Sequence, residues 1–324
     1  MRARRLAAIL ALGAISAAAP RGAEAQRLTY TKGQPLYPAY EGWTKNEDGS
    51  IDMLFGYMNE NWEEEPDVPV GPENQFSPGP ADRGQPTHFL PRRNRFVFKV
   101  RVPSGFTEQD ELVWTLRVNG REHWAYGTLR DDLYVDNVVI MSETGALGAG
   151  SSSPEIRANV PPTVQVEGPT ELRVRTGETV TLAAVVTDDG QPQRVSSLGQ
   201  RARAEGDDGP PDPRELLEQA TDRVTATVTV SKRLGLHFSW FVYRGPGEAV
   251  EIDPPQVKPW EDTRPFANSP WAVSWRPPEP PEDRRWVSGV TFSEPGTYVL
   301  RGRADDGGLY TDVEVTITVE RPRV

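Results

Sequence analysis

The stretch ELVWTLRVNGREHWAYGTL, Glu111 to Leu129, constrains the fold more than any other in the chain. Leu112, Trp114, Leu116 and Val118 alternate with polar or mixed residues up to Asn119-Gly120, and Glu122, Trp124 and Tyr126 return beyond it. Asn-Gly between two alternating runs marks a two-residue hairpin, because both residues tolerate the positive φ of a type I′ turn. A second period-two run, RFVFKVRV, predicts a strand with Phe96, Phe98, Val100 and Val102 on one face. SIDMLFGYMN and LYVDNVVIM read as two more strands, and no convincing amphipathic helix interrupts residues 26–142. The expectation is an antiparallel β domain.

The chain opens with three arginines in its first five residues and an apolar run from Leu6 to Ala19, too short to span a bilayer. Ala23 and Ala25 fit the small-residue cleavage pattern, so residues 1–25 read as a secretory signal peptide. No cysteine occurs, which excludes a disulfide framework, a thiolate metal site, a thiol nucleophile and a lipidated cysteine. The formal charge of −11 disfavours a nucleic-acid partner, since a phosphate backbone calls for a concentrated basic surface. No later segment is apolar enough to cross a membrane, so the expected product is exported and not membrane-spanning.

Residues 143–162 are rich in Gly, Ser, Ala and Pro and read as a linker between the domain at 26–142 and a second at 163–324. In the second, TGETVTLAAVVTDDG and FSEPGTYVLRGRADDGGLYTDVEVTITV flank HFSWFVY. Trp240 on a middle strand, then Phe292, Pro295, Gly296 and Tyr298, then the turn Asp305-Asp306-Gly307, resemble the bacterial immunoglobulin-like or polycystic-kidney-disease-type (PKD-like) sandwich. With the antiparallel β domain at 26–142, that resemblance implies an all-β chain of two antiparallel β-sandwich-like domains, the second carrying long insertions at 188–223 and 245–285. A short helix around Arg214 to Thr221 is the only regular element expected in the first insertion. The block from about Tyr40 to Asp136 is similar to uncharacterised exported bacterial proteins, a likeness that implies no activity.

No catalytic residue is assigned. His88, His123 and His237 lie in distant contexts without a nucleophile elbow or a zinc-helix pattern. Carboxylates are too abundant for a glycosidase pair to be picked out. Asn46, Asp48, Ser50 and Asp52 alternate around Gly49 like calcium-loop ligands. A plain Asp-Gly hairpin turn accounts for the same residues, so calcium is the one possible cofactor and no other is expected.

Two ligand-binding candidates remain. Trp260, Trp271 and Trp275 of the second insertion and Trp286 just after it sit among prolines, where they offer flat apolar area or fold back over the sandwich. In GPENQFSPGPADRGQPTHFLPRRNRF, residues 71–96, His88 with Arg83, Arg92 and Arg93 suits a polar or anionic ligand, or the loop covers one end of the sandwich. The leading expectation is an exported, non-enzymatic binding or structural protein of the bacterial cell envelope with a protein or glycan partner. The alternatives are a secreted carboxylate-based hydrolase or an accessory subunit of an extracytoplasmic assembly.

Overall fold

Asn119 and Gly120 both take positive φ, 51° and 72°, and join strand β5 (Leu112–Val118) to β6 (Arg121–Gly127) as antiparallel neighbours. The computed structural model describes residues 30–144, 154–192, 227–229, 232–262 and 275–322. The expected signal peptide, the helix around Arg214 to Thr221 and Trp271 lie outside these residues. β5 also pairs with β3 (Asn74–Ser77), and this sheet faces a second of order β1-β2-β4, formed by Leu36–Lys45, Ile51–Asn59 and Arg92–Arg101. Inward side chains from both fill the core, where Trp114 stacks on Phe76 (5.8 Å between ring centroids) and meets Phe98 edge-on (5.0 Å).

Two expectations are corrected. LYVDNVVIM is not a strand: Asp131–Leu133 forms a 3₁₀ turn and Asn137–Thr144 an α-helix. Asp136 caps that helix, its carboxylate accepting from the Val139 amide at 3.0 Å, and the cap outweighs the β propensity of the valines. Nor do Phe96, Phe98, Val100 and Val102 share one face. The β2–β4 register shifts between Phe55 and Tyr57, and Phe96 takes φ 52°, so Val97 and Phe98 both enter the first core. Phe96 packs instead with Leu54 and Val135 in a separate cluster.

The second sandwich has one sheet of order β10-β13-β14-β8 and another of order β11-β12-β9-β7. Its strands are β7 (Thr163–Val166), β8 (Glu171–Arg175), β9 (Thr179–Thr187) and β10 (His237–Arg244). They continue with β11 (Val250–Asp253), β12 (Arg285–Phe292), β13 (Gly296–Asp305) and β14 (Tyr310–Glu320). All pairings are antiparallel except β8 with β14. Trp240 is buried in the centre of the core, and the Tyr298 hydroxyl donates to the Glu294 carbonyl at 2.9 Å, closing a tyrosine corner at the start of β13. These features make the second domain an immunoglobulin-like β-sandwich.

One face of the β10-β13-β14 sheet packs on that core; the other is charged and nonetheless largely buried, because the first domain covers it. Phe241 lies opposite Arg301 and Ser239 opposite Arg303 in the β10–β13 register. Arg301, 5% exposed, stacks on the Tyr243 ring (3.4 Å), pairs with Glu314 and donates to the Val97 carbonyl of the first domain. The Tyr310 hydroxyl donates to the Phe96 carbonyl at 2.8 Å. Buried charge needs such partners, and here the partners tie the two sandwiches together.

The segment 71–96 supplies the rest of that joint. Asp82 grips Arg244 through two hydrogen bonds (2.7 and 3.0 Å), and the Thr87 amide donates to the Tyr243 carbonyl at 3.1 Å. His88 is 4% exposed. Its Nδ1 lies 2.8 Å from Asp67 and its Nε2 2.9 Å from Glu65, while Asp67 also accepts from the Gly247 amide at 3.3 Å. A β-carbon on Gly247 would lie 2.1 Å from the His88 ring, so glycine is what lets the domains approach here.

This triad sets a pH dependence. Burial opposes charge on His88, but Asp67 and Glu65 outweigh it and raise its pKa to about 9. The native state therefore holds the proton more tightly than the unfolded chain, whose histidine titrates near ~6.5. The stability it contributes, on the order of 3 kcal/mol, is complete below pH ~6.5 and lost as pH rises toward ~9. The urea midpoint should fall across that window, and His88→Gln should flatten the fall; an equal slope in the variant would discount the triad.

Candidate functional site

Between the two domains lies a cleft of about 530 Å³, within the range of small-ligand sites. One wall is the start of β4. Arg92 there takes φ 62°, a left-handed conformation that costs a non-glycine residue about 1 kcal/mol and that tends to persist where the surroundings require it. The turn lets the Arg92 guanidinium lie 4.1 Å over the Trp62 ring and donate to the Glu60 carbonyl at 2.7 Å. Arg93 pairs with Glu41 at 2.6 Å and Arg95 with Glu143 at 2.7 Å. Burial pushes Glu41 up from the usual carboxylate range, and the two arginines oppose that shift.

The opposite wall is the charged face of the second sandwich. His237 and Ser239 alternate outward on β10 while Phe238 and Trp240 point to the core. Arg303, held by Asp312 in a two-bond fork of 2.8 Å each, lies over the Tyr310 ring (3.8 Å). Lys232 pairs with Asp305 at 2.6 Å. Burial raises the Asp305 carboxyl, but Lys232 and neighbouring donors outweigh it and hold the group at about 2. Burial lowers the pKa of His237, so its ring is neutral at pH 7. The third wall carries Lys258, paired with Asp262 at 2.8 Å, and Trp260.

Six cationic residues line the cleft against three acidic ones, Glu143, Glu261 and Asp305, in a chain whose net charge is −11. Two buried groups that line it have no hydrogen-bond partner among the described residues: Ser239 Oγ and Trp260 Nε1. Buried polar atoms are nearly always paired, so an orphan at a cleft wall marks where a ligand or water belongs.

Of the sequence-derived candidates, the structure brings Arg92, Arg93 and Trp260 to this cleft and separates the others from it. His88 lies in the domain joint, and Arg83 donates to the Pro78 carbonyl at 3.1 Å. Trp275 packs edge-on against the His237 ring at 4.9 Å. Trp286 sits on β12 against the second core, 6.2 Å from Phe238. The tryptophans described therefore do not form one surface.

Asn46, Asp48, Ser50 and Asp52 form the β1–β2 turn, with Ser50 donating to Asp48 (2.9 Å from its amide), and Asn46 and Arg101 donating to Asp52. In the 305–307 turn, Asp306 accepts from the Gly308 and Leu309 amides and from Asn159. Among the described residues no group of three or more histidines, cysteines or carboxylates is placed to hold a metal ion.

Sequence reasoning missed Lys232, Ser239, Lys258 and Arg303. One signal was available: in HFSWFVY and RGRAD the residues alternating with the core side chains are His237, Ser239, Phe241, Tyr243, Arg301, Arg303 and Asp305, a set in which polar and charged residues outnumber the aromatics on a face that turns out to be covered.

No family model matches the chain, and no curated protein matches it. Solved structures that align with it include S-layer protein SbsC domains 4 and 5, at 10% identity over 88% of this chain and 98% of that one, with a TM-score of 0.21. The titin domains z1z2 in complex with telethonin align at 8% identity over 90% and 100%, TM-score 0.21. Sidekick-1 immunoglobulin domains 1–4 align at 8% identity over 90% and 51%, TM-score 0.23. Overlaps this loose say nothing about the site. No described helix is long and apolar enough to cross a membrane.

Proposed function

We propose that this chain is an exported, non-catalytic recognition protein of the cell envelope that takes its protein or glycan partner in the interdomain cleft. The observation that carries the reading is the pair of buried, unpartnered groups, Ser239 Oγ and Trp260 Nε1, in a basic cleft between two sandwiches. The basic-then-apolar opening of the sequence supports export.

The electrostatics favour binding over hydrolysis. A glycosidase needs one carboxyl kept protonated near neutral pH beside another that stays ionised. Asp305 is held at about 2 by Lys232 against the opposing effect of burial. Burial raises Asp306 to about 7, but three donors occupy its oxygens and it is not among the cleft-lining residues. The reading requires no calcium, since Asp52 is committed to Arg101 and Asn46.

Ser142, on the helix Asn137–Thr144, is half-buried at the cleft rim, and its hydroxyl donates only to the local Val139 carbonyl. Ser142→Trp should leave the melting temperature nearly unchanged and abolish retention of the protein on arrayed envelope glycans and envelope-protein fractions. Retention undiminished in a folded Ser142→Trp protein would place recognition elsewhere.

A further inference from the structure

The cleft's own chemistry narrows its ligand, on the premise that the cleft is the recognition site. We infer that it is built for a carboxylate-bearing saccharide. Three features of the walls converge on that class.

The first is charge. Arg92, Arg93, Arg95, Lys232, Lys258 and Arg303 converge on one cavity of an acidic protein. Their paired carboxylates include Glu41, Asp262 and Asp312, which stand behind the lining, so cationic faces dominate the wall itself. A cleft wall on which positive charge exceeds negative draws in the opposite sign.

The second is the balance of donors and acceptors. Ser239 and Trp260 supply unmet donors, the indole N–H being donor only. His237 supplies an acceptor: its Nδ1 lies 3.2 Å from the Gly235 carbonyl and so carries the proton, leaving the Nε2 lone pair. Cationic donors fit a carboxylate, and a neutral imidazole acceptor fits a ligand hydroxyl. A sugar acid presents both within one ring. The lining sets these polar groups beside the apolar faces of Met58, Trp62, Pro259, Trp260 and Tyr310, a mixture that suits a sugar ring with hydroxyl edges and an apolar face.

The third is the closure of the strand edges. A peptide adding to a sheet needs free backbone groups along an edge. On β4 the carbonyls of Asn94, Arg95, Phe96 and Val97 are already taken by Arg93, Tyr310 and Arg301 side chains. On β10 the Trp240 amide donates to Gln256 at 2.9 Å. Strand addition is closed at these positions, so the cleft must read side-group chemistry.

Calorimetric titration of the full chain with trigalacturonate, N-acetylneuraminic acid and N-acetylmuramic acid tests the assignment, with maltotriose and a hexa-aspartate peptide alongside. At least one acidic saccharide should bind about tenfold or more tighter than maltotriose and the peptide, and should weaken as salt rises. Ser239→Ala and Trp260→Phe should each weaken it about tenfold, the loss expected for a hydrogen bond to a charged group. Ser239→Ala removes no hydrogen bond within the fold, so its ligand-free melting temperature should hold or rise, whereas Trp260→Phe also shrinks the buried ring that Lys258 overlies at 5.2 Å and should lower it modestly.

A fall in melting temperature in Ser239→Ala would mean that this hydroxyl serves the fold, and would overturn the inference. So would maltotriose binding as tightly as the acids, or no acidic saccharide binding at about 10 mM. If the peptide binds best and Ser142→Trp abolishes that binding, the cleft stands and the saccharide assignment falls. If an acidic saccharide binds Ser142→Trp as tightly as wild type, the cleft itself is wrong.

Discussion

Replacing Arg301 with alanine should lower the unfolding free energy by about 3 kcal/mol, the low end of what breaking a buried ion pair costs. The buried guanidinium is held by its own sandwich and reaches into the other: it stacks on Tyr243, pairs with Glu314, lies 3.6 Å from Asp312 and donates to Val97 of the first domain. The low end applies because what remains is partly compensated. Asp312 keeps its fork to Arg303, and the Glu314 side chain is 46% exposed and can return to water. Arg301→Lys should recover less than half of the loss, since an ammonium cannot stack and fork at once. Urea unfolding measures both, and a loss below about 1 kcal/mol for the alanine variant would show that the domains are held by apolar packing.

The second large effect belongs to Asn74. Its amide nitrogen donates to the Val68 and Pro86 carbonyls (2.9 and 2.8 Å), and its oxygen accepts from the fully buried Trp114 indole at 3.0 Å. One side chain thus pins the irregular chain on both sides of β3 to the first core. Asn74→Ala strands three buried groups, and with each such group costing about 1–3 kcal/mol the expected loss is at least 3 kcal/mol. The same substitution should speed amide exchange through residues 84–90, whose positions depend on the Pro86 contact. Unchanged exchange there, with stability within about 1 kcal/mol of wild type, would mean the segment is fixed from the second domain alone.

The strands were legible where a local rule governs them. Asn119-Gly120 specifies its own turn, and Tyr298, after Pro295-Gly296, forms a corner with a residue four positions earlier. Local rules failed where a distant atom decides the outcome. A β-carbon on Gly56 would lie 2.4 Å from the Asn94 carbonyl, so β2 and β4 approach closely where the register slips, and Phe96 leaves the face its alternation predicts. The capping role of Asp136 was readable in principle, but the following Val138, Val139 and Ile140 carry the opposite propensity.

The cleft was illegible for a related reason. Arg92, Ser142, Thr229, Lys258 and Arg303 come from five separate stretches, and no spacing links them. The segment 71–96 invited a reading as a site of its own because it gathers His88 and four arginines. Its residues instead divide: Asp82, Thr87 and His88 brace the second sandwich, while Arg92, Arg93 and Arg95 project into the cleft that this bracing creates.

Hydrogen–deuterium exchange of the full chain, with and without the acidic saccharides named above at saturating concentration, tests the central claim most directly. Protection should rise together at His237–Ser239, Lys258–Glu261 and Arg92–Arg95, the three walls of the cleft, and should leave β6, with its exposed Trp124 and Tyr126, unchanged. Protection confined to β6, or absent from all three walls, would contradict recognition in the interdomain cleft.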